Sequence, residues 1–289
     1  MLNERGKNMF FRTDLAVERR EMIGERVPDG VSFEEIIDGD VKTTVIKITN
    51  ENGEKALSKP VGEYITVEFG ALPVEADENS EALNALKESI EKLLPESGTV
   101  LVAGLGNENI TPDALGPKTV EKILATRHIS DKSDSFGLPE LRNVAAISTG
   151  VLGQTGMETA EIIKAICEKI KPAAVIAVDA LATGSAKRLG RAVQISDTGI
   201  SPGSGVNNSR SRLDETTLGT KVISVGVPTV IDALTLCPNM KKSEAGEENM
   251  MVTPRNIDSV INSMSLVLAS SINLALQKNL SLSDIMALV

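Results

Sequence analysis

The chain has 289 residues, which is enough to bury a large hydrophobic core in one or two domains. Its 30 basic and 40 acidic side chains leave a formal net charge of −10, with no local block of Lys or Arg, so direct binding to nucleic acid is not expected. The two cysteines lack metal-ligand spacing, and neither a signal peptide nor an uncharged apolar stretch of about 18 residues is apparent. We therefore expect a soluble cytoplasmic protein that needs no metal and makes no membrane contact.

The amino-terminal part of the chain predicts two small features outside a main domain. Residues 1–35 are charged and weakly periodic, which predicts an arm outside the core. Two β-rich runs follow at Val41–Thr49 and Glu63–Phe69, and the segment Glu51–Glu54 between them is typical of a turn. We therefore expect a small β subdomain near residues 41–70.

Farther along, short apolar strands alternate with amphipathic helices. The predicted strands are Thr99–Ala103, Val144–Ile147, Ala173–Val178, Arg191–Ile195 and Val222–Val227. The predicted helices are Asn79–Leu94, Pro117–His128, Met157–Ile170, Thr229–Leu236 and Pro254–Leu276. This alternation predicts an α/β fold with a mostly parallel sheet covered by helices on both faces.

Two acidic residues follow apolar strands of this predicted sheet. Asp113 lies in the loop after Thr99–Ala103, and Asp179 directly follows Ala173–Val178. Because loops from the carboxyl ends of neighbouring parallel strands form one crevice, they can bring two carboxylates together. Asp113 alone could be a helix-capping residue, but a carboxylate such as Asp179 is costly to bury unless it faces the crevice or has a partner. The sequence therefore predicts a paired-carboxylate active site.

Other motifs point less clearly to a function. The Gly104–Gly106 turn lacks the third glycine and the ribose-binding acid of a dinucleotide site. His128 is the only histidine and suits a helix carboxyl terminus, so a closed zinc site is excluded and a catalytic triad would depend on this one residue. Asp197 and Asp232 also follow predicted strands, and we interpret them as cap or turn residues.

A dense set of motifs resembles the spore germination protease family, the endopeptidases that degrade small acid-soluble spore proteins. These motifs recur in order over most of residues 99–277, with one more near the amino terminus. They are Arg12-Thr13-Asp14-Leu15-Ala16-Val17-Glu18, Gly104-Leu105-Gly106-Asn107, Thr111-Pro112-Asp113-Ala114-Leu115-Gly116-Pro117-Lys118, Ala177-Val178-Asp179-Ala180-Leu181-Ala182, Gln194-Ile195-Ser196-Asp197-Thr198-Gly199-Ile200, Pro202-Gly203-Ser204-Gly205-Val206 and Met251-Val252-Thr253-Pro254.

The resemblance implies an unusual aspartic-type peptidase without a cofactor, whose essential pair is Asp113 and Asp179. It also implies a fold similar to that of hydrogenase maturation endopeptidases, a homotetramer, and a location in the cytoplasm of the forespore, the later spore core. The segment Leu236–Met250 is shorter here than in the family, which bears on expectations about subunit contacts.

The resemblance further implies an inactive precursor that removes its own amino-terminal peptide. The family's cut falls between the positions of Asp14 and Leu15, which makes residues 1–14 a propeptide arm and residues 15–289 a single α/β peptidase domain. The segment Asp14–Glu18 is itself similar to the family's substrate pattern of an acidic residue, a bulky apolar residue, Ala, a small residue and Glu.

The implied chemistry is peptide hydrolysis in which one carboxylate takes a proton from water while the other, protonated, polarises the scissile carbonyl. Which aspartate plays which part stays open. Candidate groups for binding substrate and its oxyanion are those of Thr149, Gly150, Thr155, Gly156, Ser204 and Gly205. One alternative is a metal-recognising maturation-type endopeptidase with His128 as an added ligand, and another is a non-catalytic binding scaffold.

Overall fold

The structure, a computed structural model, describes residues 12–24, 26–73, 76–77, 80–129, 140–203, 211–237 and 250–289. Its strands are β1 (Val31–Asp38), β2 (Val41–Ile48), β3 (Gly62–Phe69), β4 (Val100–Gly104), β5 (Val144–Ser148), β6 (Ala174–Thr183), β7 (Ala192–Ser196), β8 (Lys221–Asp232) and β9 (Met251–Val252). Its helices are α1 (Ala16–Met22), α2 (Glu51–Leu57), α3 (Glu81–Leu93), α4 (Leu115–Val120), α5 (Leu152–Thr155), α6 (Thr159–Ile170), α7 (Glu215–Leu218), α8 (Ala233–Leu236), α9 (Ile257–Leu276) and α10 (Leu282–Leu288).

All of these strands belong to one sheet, in the order β1-β2-β3-β7-β8-β6-β4-β5, with β9 paired to β8. The strands β8, β6, β4 and β5 run parallel, and β7 is antiparallel to both of its neighbours. The predicted α/β fold with a parallel central sheet is confirmed. The run near residues 41–70 is continuous with this sheet, because β3 pairs with β7.

Helices cover both faces of the sheet, and the alternation of side chains along β6 assigns residues to each face. Ile176 and Val178 pack in the larger core with residues of α3, α4 and α9, whereas Val175 and Ala177 pack in a second core with residues of α6 and α7. The helix α9 is long and apolar enough to cross a bilayer, but most of it is buried inside this protein. Asp179 shares the face of Val175 and Ala177.

The prediction of an arm over residues 1–35 is wrong for the part of it that the structure describes. Leu15 and Ala16 have no exposed surface, and α1 begins directly at Ala16. The strand β1 then forms the edge of the sheet by pairing with β2. Short apolar stretches in a charged segment give little periodicity, so this burial arises from tertiary contacts that the local pattern does not reveal.

Several other boundaries differ from the sequence-based expectation; among them, the helix predicted over Thr229–Leu236 begins only at Ala233, because β8 continues to Asp232. The predicted turn at Glu51–Glu54 is the first turn of α2, where the Asn50 side chain accepts hydrogen bonds from two backbone N–H groups. The helix predicted over Pro117–His128 ends at Val120, and the Leu124 N–H is instead donated to the side chain of Asn273 in α9 over 2.9 Å. The strand β6 continues beyond Asp179 to Thr183, paired throughout with β8.

Candidate active site

Asp113 lies at the carboxyl end of β4, in a loop held against the neighbouring strand β6. Leu105, directly after β4, donates its backbone N–H to the Val178 carbonyl over 2.8 Å. Asp113 ends a short 3-10 turn, and its Oδ2 accepts a 2.7 Å hydrogen bond from the Asn107 N–H. These bonds hold the carboxylate beside the strand that carries Asp179.

Two glycines permit this close approach of the loop to the sheet. Gly106 has a φ of +108°, and a Cβ there would lie 2.1 Å from the carbonyl oxygen of Asp113. A Cβ at Gly116 would lie 2.3 Å from the carbonyl oxygen of Leu105 and 2.6 Å from that of Val178. Any side chain at either position would force the Asp113 loop away from β6.

Asp179 is buried inside β6, with 5% of its surface exposed. Burial raises its pKa well above the usual range, and the Asp113 carboxylate raises it further. A 2.9 Å hydrogen bond from the Ala180 N–H to Asp179 Oδ1 lowers this pKa, whereas the Asp14 carboxylate raises it. The two predicted catalytic acids therefore interact, and Asp179 keeps its proton at a pH where an ordinary aspartate is ionised.

The predicted cleavage site, Asp14–Leu15, is docked along β6 beyond Asp179. Asp14 donates its N–H to the Ala182 carbonyl over 2.9 Å, and the Ala182 N–H returns a 2.8 Å bond to the Asp14 carboxylate. The Leu15 N–H is donated to Thr13 Oγ1 over 3.0 Å. The peptide bond is thus held in an extended stretch along β6, at a point three residues beyond Asp179.

The Leu15 side chain fills an apolar pocket on the Asp179 face of the sheet. This pocket is a separate cluster of buried residues, and β6 contributes to it through Leu181, two residues beyond Asp179. The other members of the cluster are Ala16, Val17, Val31, Ile46, Ile48, Leu57 and Tyr64. The bulky apolar residue after the predicted cleavage site therefore has a pocket of its own.

The Glu18 carboxylate is also buried and is held by several donors. Thr183 Oγ1 donates to it over 2.6 Å, the Gly184 N–H donates over 2.7 Å, and an Arg188 Nη1 lies 3.4 Å away. These contacts satisfy both carboxylate oxygens of Glu18, which lies three residues after Leu15.

Lys59 and Gln194 both donate to the Asp14 carbonyl in the same segment. The sequence predicted a role for neither of them, nor for Thr183, Gly184 or Arg188. Gln194 occurs in one of the family motifs, and an amide within an otherwise apolar strand was its available signal. Nothing local marks Lys59, because its position depends on how β3 and α2 pack.

The loop containing the predicted substrate-binding residues Thr149, Gly150, Thr155 and Gly156 follows β5, next to the Asp113 loop. Gln154 Nε2 donates to the Asn107 side chain over 2.7 Å and joins the two loops. Gly150 takes the left-handed conformation, with a φ of +66°, and its role in substrate binding stays a prediction.

Three of these residues are excluded as backbone donors to an oxyanion. Thr149, Thr155 and Gly156 already donate their N–H groups to backbone carbonyls, over 3.2, 3.1 and 2.8 Å respectively. That part of the expectation is wrong because the short helix α5 and the end of β4 use these groups. Ser204 and Gly205 lie outside the described residues.

His128 lies at the opposite edge of the sheet from the aspartates. It is exposed, and its neighbour Arg127 donates its N–H to Val144, the first residue of β5. Among the residues that the structure describes, no three His, Cys, Asp or Glu side chains are grouped to hold a metal ion. The only imidazole is therefore not a ligand of the acidic pair.

The interpretation of Asp232 as a cap residue is confirmed, whereas Asp197 lies in a bend after β7 and its side chain contacts β3 rather than capping a helix. Asp197 Oδ1 accepts a 2.8 Å hydrogen bond from the Glu63 N–H, and Asp232 is the N-cap of α8. Asp232 also pairs with Arg12 over 3.2 Å, just ahead of the docked cleavage site.

Among solved structures, a NiFe hydrogenase maturation protease, HycI from Thermococcus kodakarensis KOD1, is 19% identical to this chain with a TM-score of 0.40. The match covers 66% of this chain and 99% of that one.

The germination protease of Clostridium perfringens is 42% identical over 316 aligned residues, covering 95% of this chain and 97% of the relative. That of Caldanaerobacter subterraneus subsp. tengcongensis is 43% identical over 309, covering 93% and 95%. That of Bacillus pumilus is 33% identical over 350, covering 93% and 94%. A family model described as Germination protease matches residues 12–241 of this chain. The chain therefore belongs to the germination protease family.

Proposed function

We propose that this protease is an aspartic-type endopeptidase in which Asp113 and Asp179 act as a pair, first on the Asp14–Leu15 bond of its own chain. The observation that carries the proposal is the docked state of that bond. It lies along the strand that bears Asp179, and the Asp14 carboxylate is among the groups that raise the Asp179 pKa. The chain is then a zymogen whose residues 1–14 are a propeptide.

The acidic pair, in which Asp179 is buried and Asp113 half-buried, suits hydrolysis because it can share one proton. The ionised carboxylate takes a proton from water, whose oxygen bonds to the Asp14 carbonyl carbon as the carbonyl electron pair moves to the oxygen. When those electrons return to the carbon, the bond to the Leu15 nitrogen breaks. The nitrogen then receives a proton from one of the two aspartates. The products are a carboxylate at Asp14 and an amine at Leu15, and general acid–base help of this kind contributes about 10²–10⁴ in rate.

The substrates that we propose are small acid-soluble spore proteins, cut after an acidic residue. The pocket for Leu15 and the donors around Glu18 support this choice, since they match an apolar residue directly after the cut and a glutamate three residues later. Resemblance to the family supports a homotetramer acting in the forespore and spore core cytoplasm during germination.

A metal-recognising maturation-type peptidase has less support in this structure. It would need a third ligand near the aspartates, and His128 lies at the far edge of the sheet.

The test is to incubate full-length Asp113→Asn and Asp179→Asn proteins and to follow cleavage at Asp14–Leu15 by mass spectrometry. We expect self-processing to fall by at least about 10²-fold in both, because Asn keeps the shape but cannot exchange the proton. The matched control is Asp284→Asn, which removes an exposed carboxylate at the start of α10 and should process normally. A folded Asp179→Asn chain that processes at the normal rate would contradict the proposal.

A further inference from the structure

The carbonyl oxygen of the predicted scissile bond is held by two side-chain donors. Lys59 Nζ donates to the Asp14 carbonyl over 2.8 Å, and Gln194 Nε2 donates to the same oxygen over 2.9 Å. Donors that stabilise a tetrahedral oxyanion act at about 2.7–3.1 Å from that oxygen. Both distances fall in this range before any reaction has occurred.

Gln194 also fixes the residue after the scissile bond. Its Oε1 accepts a 2.6 Å hydrogen bond from the Ala16 N–H, so one amide group holds the chain on both sides of the bond between Asp14 and Leu15. The side chain is buried and its strand β7 is paired on both edges, so the amide is rigidly placed. A peptide held in this way cannot rotate its carbonyl away from the donors.

The register of the sheet places Gln194 and Asp179 on the same face, two strands apart. Gln194 in β7 pairs with Gly226 in β8, and Gly226 pairs with Asp179 in β6. Paired residues point to the same face of a sheet, and two strand spacings are about 9–10 Å. Because Gly226 has no side chain, the Leu181 side chain of β6 lies directly over it, and this leucine belongs to the pocket that holds Leu15.

Lys59 has an environment that a purely structural lysine seldom has. Burial lowers its pKa, while the Asp14 carboxylate raises it and the guanidinium groups of Arg19 and Arg212 lower it. Lys59 is half-buried, which is costly for an ammonium group unless it is well paired, and its Nζ donates to the carbonyl of the predicted scissile bond. Groups placed at such a cost are typical of active sites.

We propose that Lys59 and Gln194 form the oxyanion hole of this protease and are catalytic residues beside the aspartate pair. This inference rests on the proposed function, since it takes the Asp14–Leu15 bond as the one that is cut. When water adds to the Asp14 carbonyl carbon and the carbonyl pair moves to oxygen, the negative charge develops at the atom that both donors already contact. The same two groups serve the equivalent carbonyl of a substrate protein.

The experiment measures self-processing of full-length Lys59→Met and Gln194→Glu precursors. Met keeps most of the length of Lys without a donor, and Glu keeps the acceptor for Ala16 while removing the donor. We expect each rate to fall about 10²–10³-fold, as for loss of a single oxyanion donor elsewhere.

Two substitutions elsewhere in the chain are matched controls for those variants. Lys122→Met removes another partly buried lysine that donates to a backbone carbonyl over 2.8 Å, and Gln277→Glu alters another buried amide that bridges backbone groups of Arg142. Both should process at the normal rate, and thermal unfolding shows that each variant is folded.

A second measurement separates catalysis from docking, because loss of either donor could simply release the segment. A chain that begins at Leu15, with and without Lys59→Met, is given a peptide containing Asp-Leu-Ala-Val-Glu. An oxyanion donor should lower kcat with KM changed less than about threefold, whereas a docking residue raises KM alone.

The outcomes separate this inference from the proposed function. Normal processing by Lys59→Met and Gln194→Glu, or an effect on KM alone, overturns the oxyanion hole and leaves the aspartate pair standing. Normal processing by Asp179→Asn overturns the aspartate mechanism, and the Lys59 result still decides the oxyanion hole. A wild-type chain that cuts neither itself nor the peptide overturns both.

Discussion

Replacing Asp179 by Asn should make the folded protein more stable near neutral pH while removing its activity. The carboxyl is almost fully buried, and its pKa is raised first by burial and then by the Asp113 carboxylate. Asn keeps an oxygen that can accept the Ala180 N–H bond, so the substitution removes the charge and little else.

The sign and size of the effect follow from proton binding. An unfolded chain loses the Asp179 proton near the ordinary value of 3.8, whereas the folded protein keeps it to higher pH. The folded state binds more protons in that window, so wild-type stability falls as pH rises from 3.8 through the raised pKa. Relieving a destabilised active-site residue commonly adds about 0.5–2 kcal/mol, and each kcal/mol moves the unfolding midpoint by about 2–4 °C in chains of similar size.

The assay is the thermal midpoint of full-length wild type and Asp179→Asn across pH 3.5–8, with mass spectrometry to verify that each sample is uncut. The variant's advantage should be absent at the acid end and should grow as pH rises. Asp214→Asn provides a control of opposite sign, because hydrogen bonds from Thr217 and Arg212 outweigh partial burial and lower the Asp214 pKa. That variant should lose stability at neutral pH and approach wild type in acid.

One result would refute this reasoning. If Asp179→Asn is less stable than wild type at pH 7 and the gap closes in acid, then ionised Asp179 is stabilised in the fold. The carboxyl would then have a cationic or hydrogen-bonding partner, and it could not hold a proton for catalysis at neutral pH.

Four further changes test other parts of the site. Gly116→Ala should cost about 1–3 kcal/mol and most of the activity, since its Cβ would meet two carbonyl oxygens, and calorimetry with a peptide assay checks both. His128→Ala should keep most activity, and chelators should have little effect, whereas a loss restored by added metal would favour the maturation-type alternative. A chain that begins at Leu15 should be more active than full-length protein at equal concentration, and equal activity would end the zymogen proposal. Full-length Leu15→Asp should block processing yet relieve inhibition, because a charge cannot occupy the apolar pocket.

The sequence was sufficient to predict that Asp113 and Asp179 interact, because both follow apolar runs of neighbouring parallel strands. The strand β6 continues through Asp179, but its pairing with β4 ends at Val178, so Asp179 still lies at the carboxyl end of β4. The sequence was insufficient for Gln194 and Lys59. Gln194 reaches the site only because β7 inserts antiparallel beside β8, which is a long-range pairing without a local signal. The segment around Leu15 was assigned to an arm for the same reason, since its burial depends on tertiary contacts with distant strands.

If residues 1–14 are a propeptide, as we propose, the docked segment is also a competitive inhibitor of the precursor. A peptide tethered next to its binding site has an effective concentration of roughly 1 mM, so a substrate of equal affinity supplied at about 10 μM would occupy the site only about 1% of the time. Cleavage removes the contacts of Asp14 with Ala182, Lys59 and Gln194, but Leu15 and Glu18 stay tethered through α1. On this proposal, full activity requires that α1 also leave the pocket. Inhibitor affinities measured on uncut protein will be understated by about 100-fold, the ratio of the tethered concentration to the free one.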